Sequence, residues 1–240
     1  SRSKLLTRLS LEIEDIQLSP LPERFFRNVP LPPELTQNHL YQAMGKTEQM
    51  LSRINFHLRN SADFPLINFI QANSFSGIVS NMLTDALDLS SPYKHNHEQR
   101  FPDLKNPNNG IGLELKAANK PGKGGESHNG HGGWHLIAGF ELDEVSGNIR
   151  FIHVEIAELI SFRDEPEGDW HYYGSSVDEE TGSQRTETYY TTNRGTSKLR
   201  DGSVYLDTEK VMNWQAWRHC QQYSIPSYSP LYFQRLDRNL

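Results

Sequence analysis

Two carboxylates and an ammonium lie close together in the segment FPDLKNPNNGIGLELKAA: Asp103, then Glu114 and Lys116. In IGLELKAA the residues alternate, with Ile111, Leu113 and Leu115 on one side and Gly112, Glu114 and Lys116 on the other. Residues two apart in a strand point the same way, so Glu114 and Lys116 share a face. The run NPNNG is a strong turn signal, and a hairpin about it would carry Asp103 toward that face. Paired carboxylates on neighbouring strands suit Mg²⁺, a hard cation that prefers oxygen. Mg²⁺ lowers the pKa of a bound water and stabilises charge on a phosphoryl transition state. A lysine between carboxylates keeps its charge, so electrostatic positioning is expected of Lys116 rather than general-base action. The bland alternative makes Asp103 a turn cap and Glu114–Lys116 a surface pair. Against it stands the polar, Gly-rich loop KPGKGGESHNGHGG that follows directly.

These residues must be held by their neighbours in the chain. A helix is expected over about 3–16, followed by a stretch punctuated by Pro20, Pro22, Pro30, Pro32 and Pro33. Thr36 is expected to cap a helix running to about Leu58, with Leu40, Met44, Met50, Leu51, Ile54 and Leu58 as an imperfect apolar stripe. A second helix is expected over about 65–88. WHLIAGFELDE and NIRFIHVEIAELISF read as strands joined by the turn DEVSGN. WHYYG and TETYYTTN look extended, and DTEKVMNWQAWRHCQQY reads as a helix with Asp207 as N-cap. Trp214 and Trp217, three apart, are expected in a core or interface. Helices, then strands, then a helix predict an α/β or α+β chain with a mixed central sheet flanked by helices.

Length and composition limit the classes. A chain of 240 residues with 35% apolar and 10% aromatic content can build a sizeable core, and its mean hydropathy of −0.68 implies a wet surface and long loops. No apolar run reaches membrane-spanning length. The first residues show no apolar signal segment, and the expected compartment is the cytoplasm. The single cysteine, Cys220, excludes an internal disulfide and is expected to be buried. The net charge of −6 argues against nucleic acid, but its distribution does not. Residues 94–123 hold six basic and three acidic side chains, net +3; residues 141–190 hold three basic and thirteen acidic, net −10. Arg194, Lys198 and Arg200 follow with no acid between 191 and 200. Such polarity leaves a face for an anion.

Pro102-Asp103, ten intervening residues and Glu114-Leu115-Lys116 resemble the PD-(D/E)xK nuclease pattern over about residues 65–165. The size resembles type II restriction endonucleases, and ELKAA is also similar to the strand of methyl-directed mismatch-repair nicking endonucleases. The resemblance implies a restriction-endonuclease-like core, within a single 1–240 domain made of a helical N-terminal part (1–64), a catalytic core (65–165) and a C-terminal part (166–240). It implies Mg²⁺-dependent cleavage of double-stranded DNA at a short specific sequence. Asp103, Glu114 and the Leu115 carbonyl would be metal ligands, and Lys116 the catalytic lysine. Many members add an acidic or amide residue from the preceding helix, where Asp85 and Asn81 are candidates. A homodimer is expected, since two-fold symmetry suits cutting both strands. A DNA methyltransferase protecting the same site is implied as a genetic partner, and no membrane partner is expected. The alternatives are a nicking or repair nuclease of the same fold, or a non-catalytic DNA- or protein-binding module.

The Gly-rich loop is expected to meet DNA through Lys120, Lys123, Ser127, His128, Asn129 and His131, with His135 at its end. TTNRGTSKLRDG offers a second candidate DNA contact through Arg194, Lys198 and Arg200. The histidines alone make a weak case for zinc. The acidic run DEPEGD is expected to be solvated surface.

Overall fold

The computed structural model describes residues 20–97, 101–119, 130–165, 168–174 and 188–232. The expected helix over 3–16 and residues Lys120, Lys123, Ser127, His128 and Asn129 lie outside these residues.

Helix α1 (Gln37–Ala62) begins where the sequence predicts. Thr36 Oγ1 accepts from the His39 N–H and His39 Nδ1 from the Thr36 N–H, both at 3.2 Å. This reciprocal pair satisfies donors that the first turn leaves open. Helix α2 (Ala72–Ser90) buries Phe75, Val79, Met82, Leu83, Ala86 and Leu87, a stripe at helical spacing. It starts later than the expected 65 because Leu66–Phe69 forms a separate 3-10 turn. The Leu66 N–H donates to Asn55 Oδ1 of α1 at 2.8 Å, which ties that turn to the first helix.

Six strands make one mixed sheet: β1 (Lys94–His95), β2 (Leu104–Lys105), β3 (Gly112–Ala118), β4 (Gly133–Leu142), β5 (Ile149–Leu159) and β8 (Ser203–Leu206), in that spatial order. All neighbours are antiparallel except β3 and β4, which run parallel. β6 (Trp170–Gly174) and β7 (Thr188–Thr191) pair apart from it. The expected hairpin about NPNNG is present as β2–β3: Asn106 Oδ1 accepts from the Asn108 N–H at 2.9 Å, and Gly110 takes a φ of 76° that suits glycine. The β4–β5 turn is organised by Asp143, which accepts from the Val145 N–H and the Ser146 hydroxyl, both at 2.9 Å.

Alternation divides the sheet into two faces. Leu113 and Leu115 of β3 and Leu136, Ala138 and Phe140 of β4 join α1 and α2 in the main core. On the other face Ile137, Ala157 and Leu159 pack against Trp170, Tyr189 and Leu199, the last from α3 (Asn193–Asp201). A third cluster joins Leu206, Val211, Trp214, Ile225 and Leu231 around α4 (Met212–His219). The architecture is α+β, a mixed central sheet flanked by helices.

Three expectations change. Asp207 does not cap α4, whose N-cap is Val211; its carboxylate turns to the Glu209 N–H (3.2 Å) and to Arg24 (2.8 Å). Cys220 is exposed, because it is the residue that ends α4. Asp169, in the acidic run, is fully buried rather than solvated, since it accepts from Ile160 N–H (2.7 Å), Arg194 Nε (3.1 Å) and Lys198 Nζ (2.6 Å). Trp214 is in the core as expected.

Candidate active site

Asp103 sits one residue before β2, where the register would set it opposite Glu114 of β3. The ladder is replaced there by side chains. The Asp103 N–H donates to Glu114 Oε2 at 3.2 Å, and the Leu115 N–H donates to Asp103 Oδ2 at 2.9 Å. The two strands part at this point, and both carboxylates are held in the fork. Gly112 allows it: a Cβ there would lie 2.3 Å from Pro102 Cγ, so any larger residue would push away the proline that precedes Asp103.

The carbonyl of Leu115 opens toward the same edge as its N–H, because both groups of one strand residue point to one side. Ser80 Oγ of α2 donates to it at 3.2 Å. A carbonyl has two lone pairs, so this bond leaves acceptor capacity.

Asp103, Glu114 and Lys116 are half-buried and share one electrostatic environment. Burial pushes Asp103 up; the Leu115 N–H and the charges of His95 and Lys116 oppose the rise. Burial and the Asp103 charge push Glu114 up to about 7, against the pull of Lys116. Two carboxylates that resist joint ionisation are a site short of positive charge.

The preceding helix contributes through an intermediary. Asp85 Oδ1 lies 2.6 Å from His95 Nε2, and the His95 charge bears on Asp103. Of the two candidates on α2, Asp85 is buried and reaches this chain of groups, whereas Asn81 is exposed. The nuclease pattern itself gives His95 no part.

The remaining expected residues lie elsewhere. His131 stacks on Phe101, ring centroids 4.0 Å apart, two residues from Asp103 in sequence. A cleft of about 330 Å³ lies alongside, lined by Phe101, Pro102, Lys105, Gly112, Gly133 and Trp134 among others. TTNRGTSKLRDG contains the whole of helix α3. Arg194 pairs with Asp169 and Glu165, Lys198 with Asp169, and buried Arg200 lies over the Trp217 ring at 4.1 Å.

His135 of β4 is the neighbour the sequence assigned only to a loop end. In the parallel register it is the partner of Glu114.

Among the described residues no group of three or more His, Cys, Asp or Glu side chains is placed to hold a metal ion. The donors at the fork are two carboxylates and one main-chain carbonyl. Mg²⁺ binds through one or two carboxylates and retains waters, so this all-oxygen set fits its chemistry. No described helix is long and apolar enough to cross a membrane. Comparison with known proteins finds no matching family model, curated protein or solved structure.

Proposed function

We propose that the chain is a Mg²⁺-dependent endonuclease of the PD-(D/E)xK class, acting on double-stranded DNA as type II restriction enzymes do. The observation that carries this reading is the fork: Asp103 and Glu114 interlocked by hydrogen bonds, Glu114 pushed up to about 7, and Lys116 close enough to oppose the rise. Asp103, Glu114 and the Leu115 carbonyl would hold the cation. Bound there, Mg²⁺ supplies a more acidic water and charge stabilisation at the phosphate. Lys116, charged, orients phosphate oxygens and favours the charge that develops on them. From the helical side Ser80 holds the Leu115 carbonyl, and His95, paired with Asp85, adds its charge toward Asp103.

The Gly-rich segment supplies the proposed contacts to the duplex, through Lys120, Lys123, His128, Asn129 and His131. Arg194 and Lys198 are a second candidate set whose charges also serve Asp169. Two copies would cut the two strands of a symmetric site.

Supercoiled plasmid incubated with Mg²⁺ or with EDTA tests the reading. Linear product in Mg²⁺ alone is expected. Relaxed circles without linear product would identify a nicking enzyme on the same site. Intact DNA together with a metal-independent gel shift would identify a binding module and end the catalytic assignment.

A further inference from the structure

His135 is 3% exposed, yet its ring is only half satisfied. Nδ1 lies 2.9 Å from the Gly133 carbonyl. A carbonyl only accepts, so Nδ1 carries the proton and Nε2 of the neutral ring is left with a lone pair. That Nε2 is sealed from solvent and has no hydrogen-bond partner. Burial holds the ring neutral, its pKa pushed down to about 4, with Lys116 among the charges that add to the effect. Trp170, 5.4 Å away between ring centroids, packs against the imidazole. A buried acceptor without a donor carries a desolvation cost that nothing offsets. The strand register puts this acceptor on the sheet face of Glu114 and Lys116, one strand across.

In the structure Lys116 bears on Asp103 and Glu114, pulling both down. A divalent cation held by those carboxylates would displace the ammonium by repulsion. Resting on the nuclease reading, we propose that His135 is a positioning residue for Lys116. Its Nε2 accepts a hydrogen bond from the lysine ammonium when a cation occupies the carboxylates, and so keeps that charge on the reacting face. The ring needs no change of protonation for this, and the fixed tautomer presents an acceptor rather than a second donor.

Nitrogen NMR of the His135 ring during titration with Mg²⁺ tests the proposal without DNA. Mg²⁺ is expected to move the Nε2 resonance in the wild type. In Lys116→Met the metal should still bind, by calorimetry, but the resonance should stay. A resonance unmoved in the wild type while calorimetry records binding would overturn the proposal and leave the metal site intact. No binding of Mg²⁺ to the wild type would overturn both. In the cleavage assay His135→Leu should lower kcat about tenfold to a hundredfold with KM little changed, because a misplaced charge costs rate rather than affinity. His135→Gln, which restores an acceptor, should recover part of it. Equal kcat in His135→Leu and wild type would also overturn the proposal, since a purely structural ring predicts that outcome.

Discussion

Replacing Glu114 with glutamine should make the metal-free protein more stable and unable to respond to Mg²⁺. Burial and the Asp103 charge raise the Glu114 carboxyl from 4.5 to about 7. Its ionised form is therefore disfavoured in the folded state by roughly 3 kcal/mol at most. Below pH 4.5 the folded and unfolded carboxyls are both protonated and no penalty exists. The penalty grows as pH rises from 4.5 to about 7 and is complete above it. Glutamine never ionises, and its amide oxygen can still accept the Asp103 N–H. Allowing for the solvent that reaches this half-buried group, Glu114→Gln should stabilise the protein at pH 8 by about 2 kcal/mol. For a chain of this size that is a rise in Tm of about 4–8 °C. The gain should shrink toward zero at pH 4.5. Saturating Mg²⁺ should raise the Tm of the wild type, through binding to the native state alone, and leave the variant unchanged. Thermal unfolding at pH 8 and pH 4.5, with Mg²⁺ or EDTA, reads all of this. A variant no more stable than wild type at pH 8 would refute the electrostatic reasoning, and Mg²⁺ stabilisation surviving in it would remove Glu114 from the metal site.

Lys116→Met should slow cleavage at least a hundredfold while DNA affinity in a gel shift holds, since it removes charge stabilisation at the phosphate; cutting at the wild-type rate would discard its assignment. Gly112→Ala puts a Cβ where Pro102 Cγ lies 2.3 Å away, so it should cost about 1–3 kcal/mol in urea denaturation and reduce Mg²⁺ affinity through the displaced Asp103. Unchanged calorimetry would show that the hairpin yields elsewhere. Arg218, 1% exposed, holds Asp201 through Nε at 3.0 Å and Nη2 at 2.9 Å, and Arg218→Met leaves that carboxylate buried and short of its partner. A loss of about 3–5 kcal/mol is expected, and a loss below 1 kcal/mol would mean that the pair adds little.

The parts of the site legible in the sequence are those set by short-range rules. NPNNG encodes a tight turn, alternation in IGLELKAA encodes a strand with two different faces, and together they bring Asp103 to Glu114. Thr36 likewise announces the start of α1. What the sequence concealed depends on partners distant in the chain. The parallel alignment of β3 with β4 sets His135 beside Glu114, and no local pattern states that pairing. Asp169 reads as surface within DEPEGD until Arg194 and Lys198, about twenty-five residues on, are brought to it by α3. Asp207 has the right type for an N-cap, but Arg24 competes for its carboxylate. The link from Asp85 on α2 through His95 on β1 toward Asp103 also joins separate parts of the chain, and no local pattern states it.

The most direct measurement is digestion of bacteriophage DNA by purified wild type and Asp103→Asn side by side, each with Mg²⁺ or EDTA. Discrete fragments from the wild type in Mg²⁺ alone, and intact DNA from the variant, are the predicted result. The same fragments from Asp103→Asn at the wild-type rate would contradict the assignment of the fork as the catalytic site.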